Sequence, residues 1–353
     1  MLDIKYIREN PEKVKEAAKN KKVDVDVDAL LSLDAERRPL QAKIEEINRL
    51  RNEASKTKDI ENGKRLKHEV SALEETMVAL DARLQPLVLK LPNVPVDGTP
   101  VGPDESGNVI IRKWGKPTEF AFDPKDHVEL GKLHGLIDNE LGAEVAGARF
   151  TYLKGDLVLL QQAIIQYDFS VLTDRGALEG IIAANALTAP ATPFVPVIPP
   201  LMIKPEVFQR MARLEPREER YHIPSDDLYL IGSAEHTLGP MHMDETLDEA
   251  DLPLRYVACT AAFRREAGSY GKDTKGILRL HQFDKIEMES FSASEQSLAE
   301  QDLFVALQEH FLQALGVPYQ VVQICTGDMG GPDARQIDIE SWMPGQGKYR
   351  ETH

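Results

Sequence analysis

The chain has 353 residues, 42% hydrophobic and 28% charged, which supplies enough apolar side chains for a globular core and suggests about two domains. Its formal net charge of −16 argues against broad, nonspecific nucleic-acid binding, so an RNA partner would need a local basic patch. The charged N-terminal residues lack the apolar core of a signal peptide, and no run is long enough to cross a bilayer. Two widely separated cysteines in apolar contexts fit a reducing compartment, so we expect a cytoplasmic protein.

The N-terminal third is predicted to be helical. Residues 1 to about 22 indicate short helices, with Pro11 in a first turn. Beyond them, apolar residues separated alternately by three and four positions predict two heptad helices with a polar break at 56–63. The first seam is Leu30, Leu33, Arg37, Leu40, Ile44, Ile47, Arg51 and Ala54, and the second is Leu66, Val70, Leu73, Met77, Leu80, Leu84, Leu87 and Leu91. Such an antiparallel hairpin, with arms of about 25–30 residues and roughly 40 Å, should project from the body.

The tip of this hairpin reverses the sign of the chain's charge. Residues 49–67 carry seven basic and three acidic side chains, a net charge of +4. The basic residues are Arg49, Arg51, Lys56, Lys58, Lys64, Arg65 and Lys67. In a coiled coil of unknown function, such charges are typical of a solvated surface. Arg51 of the tip, and Arg37 outside it, occupy seam positions, where either could set the register of the two helices instead. The alternative is a surface for the phosphates of an RNA.

A linker divides the chain into two predicted domains. Leu91–Pro103 is rich in proline and glycine and indicates an extended connection. We therefore predict a helical arm over residues 1–103, with its hairpin at about 30–91, and a second domain over 104–353. In the second domain, Gly155–Leu172 is predicted to be an amphipathic helix.

The segment Leu254–Glu287 predicts two antiparallel strands joined by the polar loop Ala267–Gly276. Its period of two places Arg264 and Glu266 on one face of the first strand, and Arg279, Phe283 and Glu287 on one face of the second. Charged strand faces are usually solvated, but a phenylalanine among the charges favours a nucleotide site. Its ring would stack on a base, while the arginine side chains would bind phosphates.

A second candidate site element is Ile231–His236, which predicts a strand end where Ser233 and Glu235 face the same way. A buried carboxylate beside a hydroxyl suits the ammonium group of a small amino acid. Alone, the three letters S-A-E are a weak signal.

These segments together resemble a known family. FRREAGSYGKDTKGILRLHQFDKIE is similar to motif 2 of the class II aminoacyl-tRNA synthetases, in the form found in bacterial-type seryl-tRNA synthetases. The similarity extends over nearly the whole chain and includes LYLIGSAEHTLGPMH, TGDMGG at 326–331 and YRETH at 349–353. It implies an α+β fold, in which an antiparallel coiled-coil hairpin precedes an antiparallel β-sheet flanked by helices. It also implies serine–tRNA ligation by way of seryl-adenylate, with ATP as a substrate and Mg²⁺ as a cofactor.

The resemblance implies a role for each matching residue. The serine contacts would be Ser233, Ala234, Glu235, Arg264 and Glu287. The ATP contacts would be Arg264, Arg265, Glu266, Arg279, Phe283, Glu351, Thr352 and His353. Within these sets, the catalytic residues would be Arg264, Glu266 and Arg279, and Glu351 would be a Mg²⁺ ligand. Serine stands at 233 where the family has threonine, which keeps the hydroxyl group and removes a methyl group.

The resemblance also implies partners. In the family, a similar arm binds the long variable arm of serine tRNA, so the seven basic residues of the tip would contact tRNA(Ser) and possibly tRNA(Sec). Motif 1 ends in a proline at a homodimer interface, which Pro199 or Pro200 matches, although residues 173–193 fit the family's helix–strand pattern poorly. We expect no membrane or DNA partner.

The chain stops at His353, before the family's motif 3, so we expect weak or no activity from a truncated chain. Three interpretations of its function follow. The first interpretation is a serine–tRNA ligase. The second is a ligase that charges a carrier protein, which the hairpin at 30–91 disfavours because such relatives lack the arm. The third is a catalytically impaired fragment that acts only as a coiled-coil RNA-binding protein, favoured by the missing motif and disfavoured by the ATP-facing residues.

Overall fold

The computed structural model describes residues 2–267 and 276–353, so most of the predicted loop Ala267–Gly276 lies outside the described residues. The chain divides into two compact units, one of residues 1–109 with 323–336 and one of residues 110–322 with 337–353. The first unit therefore includes residues 323–336. The predicted domains, 1–103 and 104–353, are each continuous in sequence and did not anticipate this. The boundary at residue 103 stays a prediction. In the described ranges, no helix is both long enough and apolar enough to cross a membrane.

Four helices build the first unit: α1 (Ile4–Glu9), α2 (Pro11–Asn20), α3 (Val27–Lys56) and α4 (Ile60–Lys90). The side chains of Asp26 and Asp59 accept hydrogen bonds from backbone N–H groups in the first turns of α3 and α4, which defines where each begins. The start of α3 packs on the end of α4, and the end of α3 on the start of α4, so the pair is antiparallel. The predicted hairpin is confirmed.

The buried seam of the hairpin follows the predicted heptads with one shift. Towards the end of α4, Val88 is buried and Leu87 is only partly buried. An α-helix with 3.6 residues per turn drifts against a 3.5-residue pattern, which moves the buried position by one residue. Arg37 pairs with Asp81 of α4, Nε to Oδ1 at 2.7 Å, so this seam arginine joins the two helices. Arg51 is half-buried at its own seam position.

Short strands and helices build the second unit. In chain order they are β1 (Val109–Trp114), α5 (His127–Leu133), β2 (Ile137–Asp138), α6 (Asn139–Ala146), β3 (Tyr152–Leu153), α7 (Asp156–Leu172), α8 (Arg175–Ala184), β4 (Val195–Pro196), β5 (Met202–Ile203), α9 (Pro205–Arg210), β6 (His222–Ile223), β7 (Leu228–Leu230), α10 (Glu235–Leu238), β8 (Leu254–Phe263), β9 (Gln282–Phe291), α11 (Ser297–Ala314), β10 (Tyr319–Gln323), β11 (Ile337–Met343) and β12 (Lys348–Glu351). The sheets have the orders β1-β10-β11-β12, β4-β8-β9, β5-β7-β6 and β2-β3. With the helical hairpin, this mixture confirms the predicted α+β class.

Helix α11 covers one face of both larger sheets. Its residues Leu303 and Leu307 pack in one core cluster with Val257 of β8. Its residue Leu312 packs in a second cluster with Ile339 of β11. On the opposite face of β8, Ala258 packs with Leu238 of α10.

The strand pair β8–β9 confirms the predicted antiparallel pairing, but the first strand ends earlier and the second begins and ends later than predicted. Phe283 lies opposite Ala262, and Glu287 lies opposite Ala258. The first strand ends at Phe263 and the second begins at Gln282, so Arg264, Glu266 and Arg279 lie beyond the strand ends. Glu266 has a φ of 54°, in the left-handed region, which breaks the extended backbone and with it the alternation of faces.

Two further segments differ in detail from the expectation. Strand β7 ends at Leu230, and Glu235 is already the first residue of α10, so Ser233 and Glu235 lie in a strand-to-helix turn rather than on one face of a strand end. Residues 173–193, which fit the family pattern poorly, contain the helix α8. The predicted amphipathic helix is α7, which begins directly after Gly155.

Candidate active site

A cleft of about 530 Å³ lies over the face of β8 and β9 that α11 does not cover. Among the described residues, five basic and three acidic side chains line it. The lining residues are Arg213, Glu219, Arg220, Gly232, Ser233, Glu235, His236, Arg264, Glu266, Arg279 and Lys285. This polar, predominantly cationic lining suits a ligand with several negative charges.

At one end of the cleft, a hydroxyl, a carboxylate and an ammonium group meet. The Ser233 hydroxyl donates a hydrogen bond to the carboxylate of Glu287. Lys285 Nζ lies 2.7 Å from Glu287 Oε2 and donates to Ser233 Oγ at 3.2 Å. Ser233 is 3% exposed and Ala234 is fully buried, so this turn has little freedom to move. The structure thus joins Ser233 to Glu287, as the proposed serine pocket requires.

The second predicted carboxylate, Glu235, is held by a residue that the sequence did not indicate. Arg213 donates to Glu235 Oε1 from Nε at 2.8 Å and from Nη2 at 2.7 Å. A third carboxyl group, that of Glu289, lies on the same face of β9 as Glu287. Burial, with the negative charges of Glu235 and Glu287, raises the pKa of Glu289 to about 8, so this group is largely protonated at neutral pH.

The predicted nucleotide-binding residues converge beside this pocket. Arg264 donates from Nε to the carbonyl oxygen of Gly232 at 3.1 Å, and its guanidinium carbon lies 5.2 Å from the ring centre of Phe283. Glu266 forms an ion pair with Arg279. These contacts bring together four residues that the sequence placed on one face, although three of them lie outside regular strand.

Other predicted ATP contacts are not in the cleft lining. Arg265 is exposed, and its backbone N–H donates to the carbonyl oxygen of Glu219 at 3.1 Å. Thr352 contacts Ser341, with 2.8 Å between the hydroxyl oxygens. Desolvation, followed by the positive charge of Lys285, lowers the pKa of His353 to about 4.

Glu351 lies opposite Glu340 in the antiparallel pair β11–β12, so the two carboxylates share one face of that sheet. This face is the one turned away from α11, because the neighbouring residue Ile339 packs against that helix. Two adjacent carboxylates are a suitable donor set for a hard cation such as Mg²⁺, which commonly takes its remaining ligands from phosphates and water.

Besides Arg213, five further cleft residues were not predicted as site residues: Glu219, Arg220, Gly232, His236 and Lys285. His236 accepts a hydrogen bond at Nδ1 from the Gly232 N–H at 3.1 Å. Burial, followed by the charges of Arg220, Arg213, Arg264 and Lys285, lowers the pKa of His236 to about 3, so its ring is neutral. The only indication in the sequence that His236 belongs to the site was its position directly after Glu235.

The basic residues of the hairpin tip lie at the end of α3 and the start of α4. Lys56, Lys58, Lys64 and Lys67 are exposed. Arg49 pairs with Glu46 and Glu53, each at 2.6 Å, so much of its charge is balanced within α3. Arg65 donates from Nη2 to Asn62 Oδ1 at 2.9 Å, and its Nη1 atom lies 3.9 Å from Glu69 Oε2. The lysines are therefore the stronger candidates for an RNA surface.

The ends of an antiparallel strand pair place arginine and glutamate side chains in a nucleotide-sized cleft, with Phe283 against one of the arginines and a helix on the other face of the pair. This arrangement defines a class II aminoacyl-tRNA synthetase core. Comparison with known families agrees. Residues 219–353 match the tRNA synthetase class II core domain (G, H, P, S and T), and residues 1–95 match the seryl-tRNA synthetase N-terminal domain.

Individual relatives narrow the class to a family. Serine–tRNA ligase of Thermodesulfovibrio yellowstonii is 37% identical over 367 residues, covering 99% of this chain and 82% of the relative. Serine–tRNA ligase of Brucella canis is 40% identical over 366 residues, again covering 99% and 82%. The crystal structure of seryl-tRNA synthetase from Pyrococcus horikoshii complexed with ATP has a TM-score of 0.81 at 36% identity, covering 99% of this chain and 83% of that one. The chain belongs to the serine–tRNA ligase family, whose function is that of an ATP-dependent aminoacyl-tRNA ligase.

Proposed function

We propose that the cleft activates L-serine with ATP and that the basic hairpin tip positions the tRNA that receives the seryl group. The observation that carries this proposal is that Ser233 and Arg264 line the same cleft, where Ser233 contacts Glu287 and Arg264 contacts Phe283. The first pair suits a small hydroxylated amino acid, and the second suits an adenine nucleotide. The ATP complex of the similar Pyrococcus horikoshii protein supports the nucleotide assignment.

In this proposal, the serine side chain is recognised by Glu287. Its carboxylate already accepts a hydrogen bond from one hydroxyl group, that of Ser233, and a serine hydroxyl would donate to it in the same way. The serine ammonium group would lie near Glu235 and the Ser233–Ala234 turn. Alanine lacks the hydroxyl group and would leave the carboxylate less well paired, which disfavours it by the cost of a buried, incompletely satisfied acceptor.

The nucleotide would lie along Phe283 and the two predicted catalytic arginines. Phe283 would stack on adenine, Glu266 would accept from the adenine amino group, and Arg264 would bridge the α-phosphate and the serine carboxylate. Arg279, now paired with Glu266, would lie along the phosphates. Arg265, Thr352 and His353 would complete the ATP-binding set.

Magnesium is the proposed cofactor, held by Glu351 together with Glu340. When bound, the ion would neutralise part of the triphosphate charge and so favour departure of pyrophosphate. The chain's own residues bind and orient the reactants. The serine carboxylate attacks the α-phosphorus of ATP, pyrophosphate leaves, and a hydroxyl group of the tRNA terminal adenosine then attacks the seryl carbonyl carbon and releases AMP. Both steps depend on positioning and charge neutralisation more than on an acid or base.

Serine-dependent ATP–pyrophosphate exchange tests the proposal directly. The assay compares this chain with a form extended through a class II motif 3. Exchange by either form that requires serine, and that alanine and threonine do not support, is the expected result. Absence of exchange from both forms, with retained binding of serine tRNA, would instead favour the impaired RNA-binding protein.

The competing interpretations have less support. The charged cleft residues are assembled as a nucleotide site needs, which an RNA-binding fragment would not require. A carrier-protein ligase would have no use for a basic hairpin. Aminoacylation of a tRNA(Ser) or tRNA(Sec) transcript distinguishes a tRNA ligase from a carrier-protein ligase.

Cys259 and Cys325 are free thiols, and we place the protein in the cytoplasm on that basis.

The hairpin tip provides a prediction about tRNA binding. Replacing Lys56, Lys58, Lys64 and Lys67 together by alanine should weaken binding of a tRNA(Ser) transcript and lower the slope of log affinity against log salt by about 3. The reason is that each lysine that contacts a phosphate displaces a counterion. Fluorescence anisotropy over a range of salt concentrations measures both quantities.

The matched control removes the same charge from exposed lysines elsewhere in the helical unit: Lys5, Lys13, Lys43 and Lys90. Equal losses in the two quadruple variants would contradict a specific role for the tip. Serine-dependent exchange should be unchanged in both, because it does not involve tRNA.

We also propose a homodimer through the motif 1 region. Apolar side chains are exposed on α7 and beside Pro199, including Leu159 at 68% and Ile198 at 97%. Such exposure is costly in water and is typical of an interface.

Replacing Leu159 and Ile198 by aspartate should shift the protein from dimer to monomer in sedimentation velocity. Val78→Asp, at a similarly exposed position on α4, is the control and should leave the dimer intact; a monomeric parent would rule the interface out.

A further inference from the structure

Arg220 lies in the cleft but has no role in the scheme above. It follows Glu219 in the irregular segment before β6, and its guanidinium carbon lies 5.3 Å from the ring centre of Phe208. The ring supports one face of the guanidinium group and provides no negative charge. The contact therefore positions the side chain without neutralising it.

The polar atoms of Arg220 are incompletely satisfied. Its Nε atom is buried and, among the described residues, has no hydrogen-bond partner. Burial, followed by the positive charges of Arg264 and Arg213, lowers the pKa of Arg220, and the charges of Glu219 and Glu235 offset this only in part. A guanidinium group in this position is destabilised by desolvation and by like charges. An anion that enters the cleft would relieve both.

Arg220 and Arg264 both lie close to Gly232. A Cβ atom added to Gly232 would lie 3.4 Å from Arg220 Nη1, and the Gly232 carbonyl oxygen accepts from Arg264 Nε. The neighbouring His236 is neutral and adds no charge of its own.

We propose that Arg220 is a further phosphate-binding residue of this cleft, which acts with Arg264 on the anionic phosphates of the nucleotide. The ligand class is a nucleoside triphosphate, and the assignment rests on the proposed function. Arg220 belongs to the segment before β6 and Arg279 to the β8–β9 connection, so the phosphates would be held by residues from two separate segments. An arginine suits this task because its planar group binds phosphate oxygens in pairs.

Isothermal titration calorimetry with ATP and with adenosine tests the assignment. Arg220→Gln should weaken ATP binding by about 10- to 100-fold, the usual effect of one charge-assisted hydrogen-bonding group. Adenosine carries no phosphate, so its affinity should change less than twofold. Arg220→Lys keeps the positive charge without the planar donor group and should give an intermediate ATP affinity. Arg217→Gln, at an exposed arginine paired with Glu215, is the matched control and should behave as the parent.

The outcomes separate this assignment from the proposed function. If the parent binds ATP and Arg264→Ala weakens it but Arg220→Gln does not, only the Arg220 assignment is overturned. Equal losses for ATP and adenosine in Arg220→Gln would also overturn it, because they indicate a structural role. If neither this chain nor the form extended through motif 3 binds ATP or adenosine, the proposed function and the Arg220 assignment both fail. Thermal melting identifies any variant that does not fold, and Arg220→Lys then decides the question.

Discussion

Replacing Arg264 by alanine is expected to lower kcat/KM for serine-dependent ATP–pyrophosphate exchange by about 10²- to 10³-fold. Arg264 is held by the Gly232 carbonyl group on one side and by the ring of Phe283 on the other, so its guanidinium group is positioned before substrate arrives. A positioned cation at the reacting phosphate stabilises the charge that develops in the transition state. The exchange rate, measured over a range of ATP concentrations in whichever form of the chain supports it, tests this.

Two variants control for indirect effects of Arg264→Ala. Arg264→Lys retains the charge but lacks the planar donor group, and we expect it to recover only part of the activity. Arg217→Ala removes an exposed arginine paired with Glu215 and should leave exchange unchanged. An exchange rate for Arg264→Ala within threefold of the parent would show that this arginine is not at the reacting centre.

Replacing Glu300 by alanine is expected to lower the free energy of unfolding of the second unit by about 3–5 kcal/mol. Glu300 of α11 binds Arg255 of β8 through two hydrogen bonds of 2.6 and 2.7 Å, and the side chains are 5% and 0% exposed. Ser290 also donates to Glu300, and Arg255 donates to the carbonyl oxygen of Thr192. Removing the carboxylate leaves a fully buried guanidinium group without its charge partner. Urea unfolding followed by circular dichroism measures the loss.

A double replacement distinguishes the loss of the pair from the loss of one partner. Arg255→Met with Glu300→Leu removes both charges, and we expect it to be more stable than Glu300→Ala alone. Arg210→Ala, which breaks an exposed ion pair with Asp244, should change the urea midpoint very little. A midpoint for Glu300→Ala equal to that of Arg210→Ala would contradict the expected loss.

The part of the site on β9 was predictable because a strand alternates its side chains. Phe283, Lys285 and Glu287 share one face in the structure, as a period of two requires. The same rule failed at Glu266, where a left-handed backbone conformation ends the strand, yet an ion pair still joins Glu266 to Arg279. The ion pair compensates for the lost alternation and keeps both residues in the cleft.

Arg213 and Arg220 could not be predicted in this way. They lie in a segment with little regular structure between α9 and β6, where no periodicity relates a residue to a face. Their positions depend on contacts with distant residues, since Arg213 binds Glu235 and Arg220 stacks on Phe208. The same holds for Glu289, whose pKa is raised by burial and then by the carboxylates of Glu235 and Glu287 from two different elements.

By itself, the sequence determined the features that depend on local periodicity and on a specific motif. These are the helical hairpin from Val27 to Lys90, the charge of its tip, the pairing of β8 with β9 and the family of the chain. Only the tertiary structure decided where the strands end, which arginines join the cleft and which carboxylates they bind. The physical reason is that heptads and alternation act between residues close in sequence. The cleft, in contrast, is built from turns whose side chains are positioned by packing and charge across the fold.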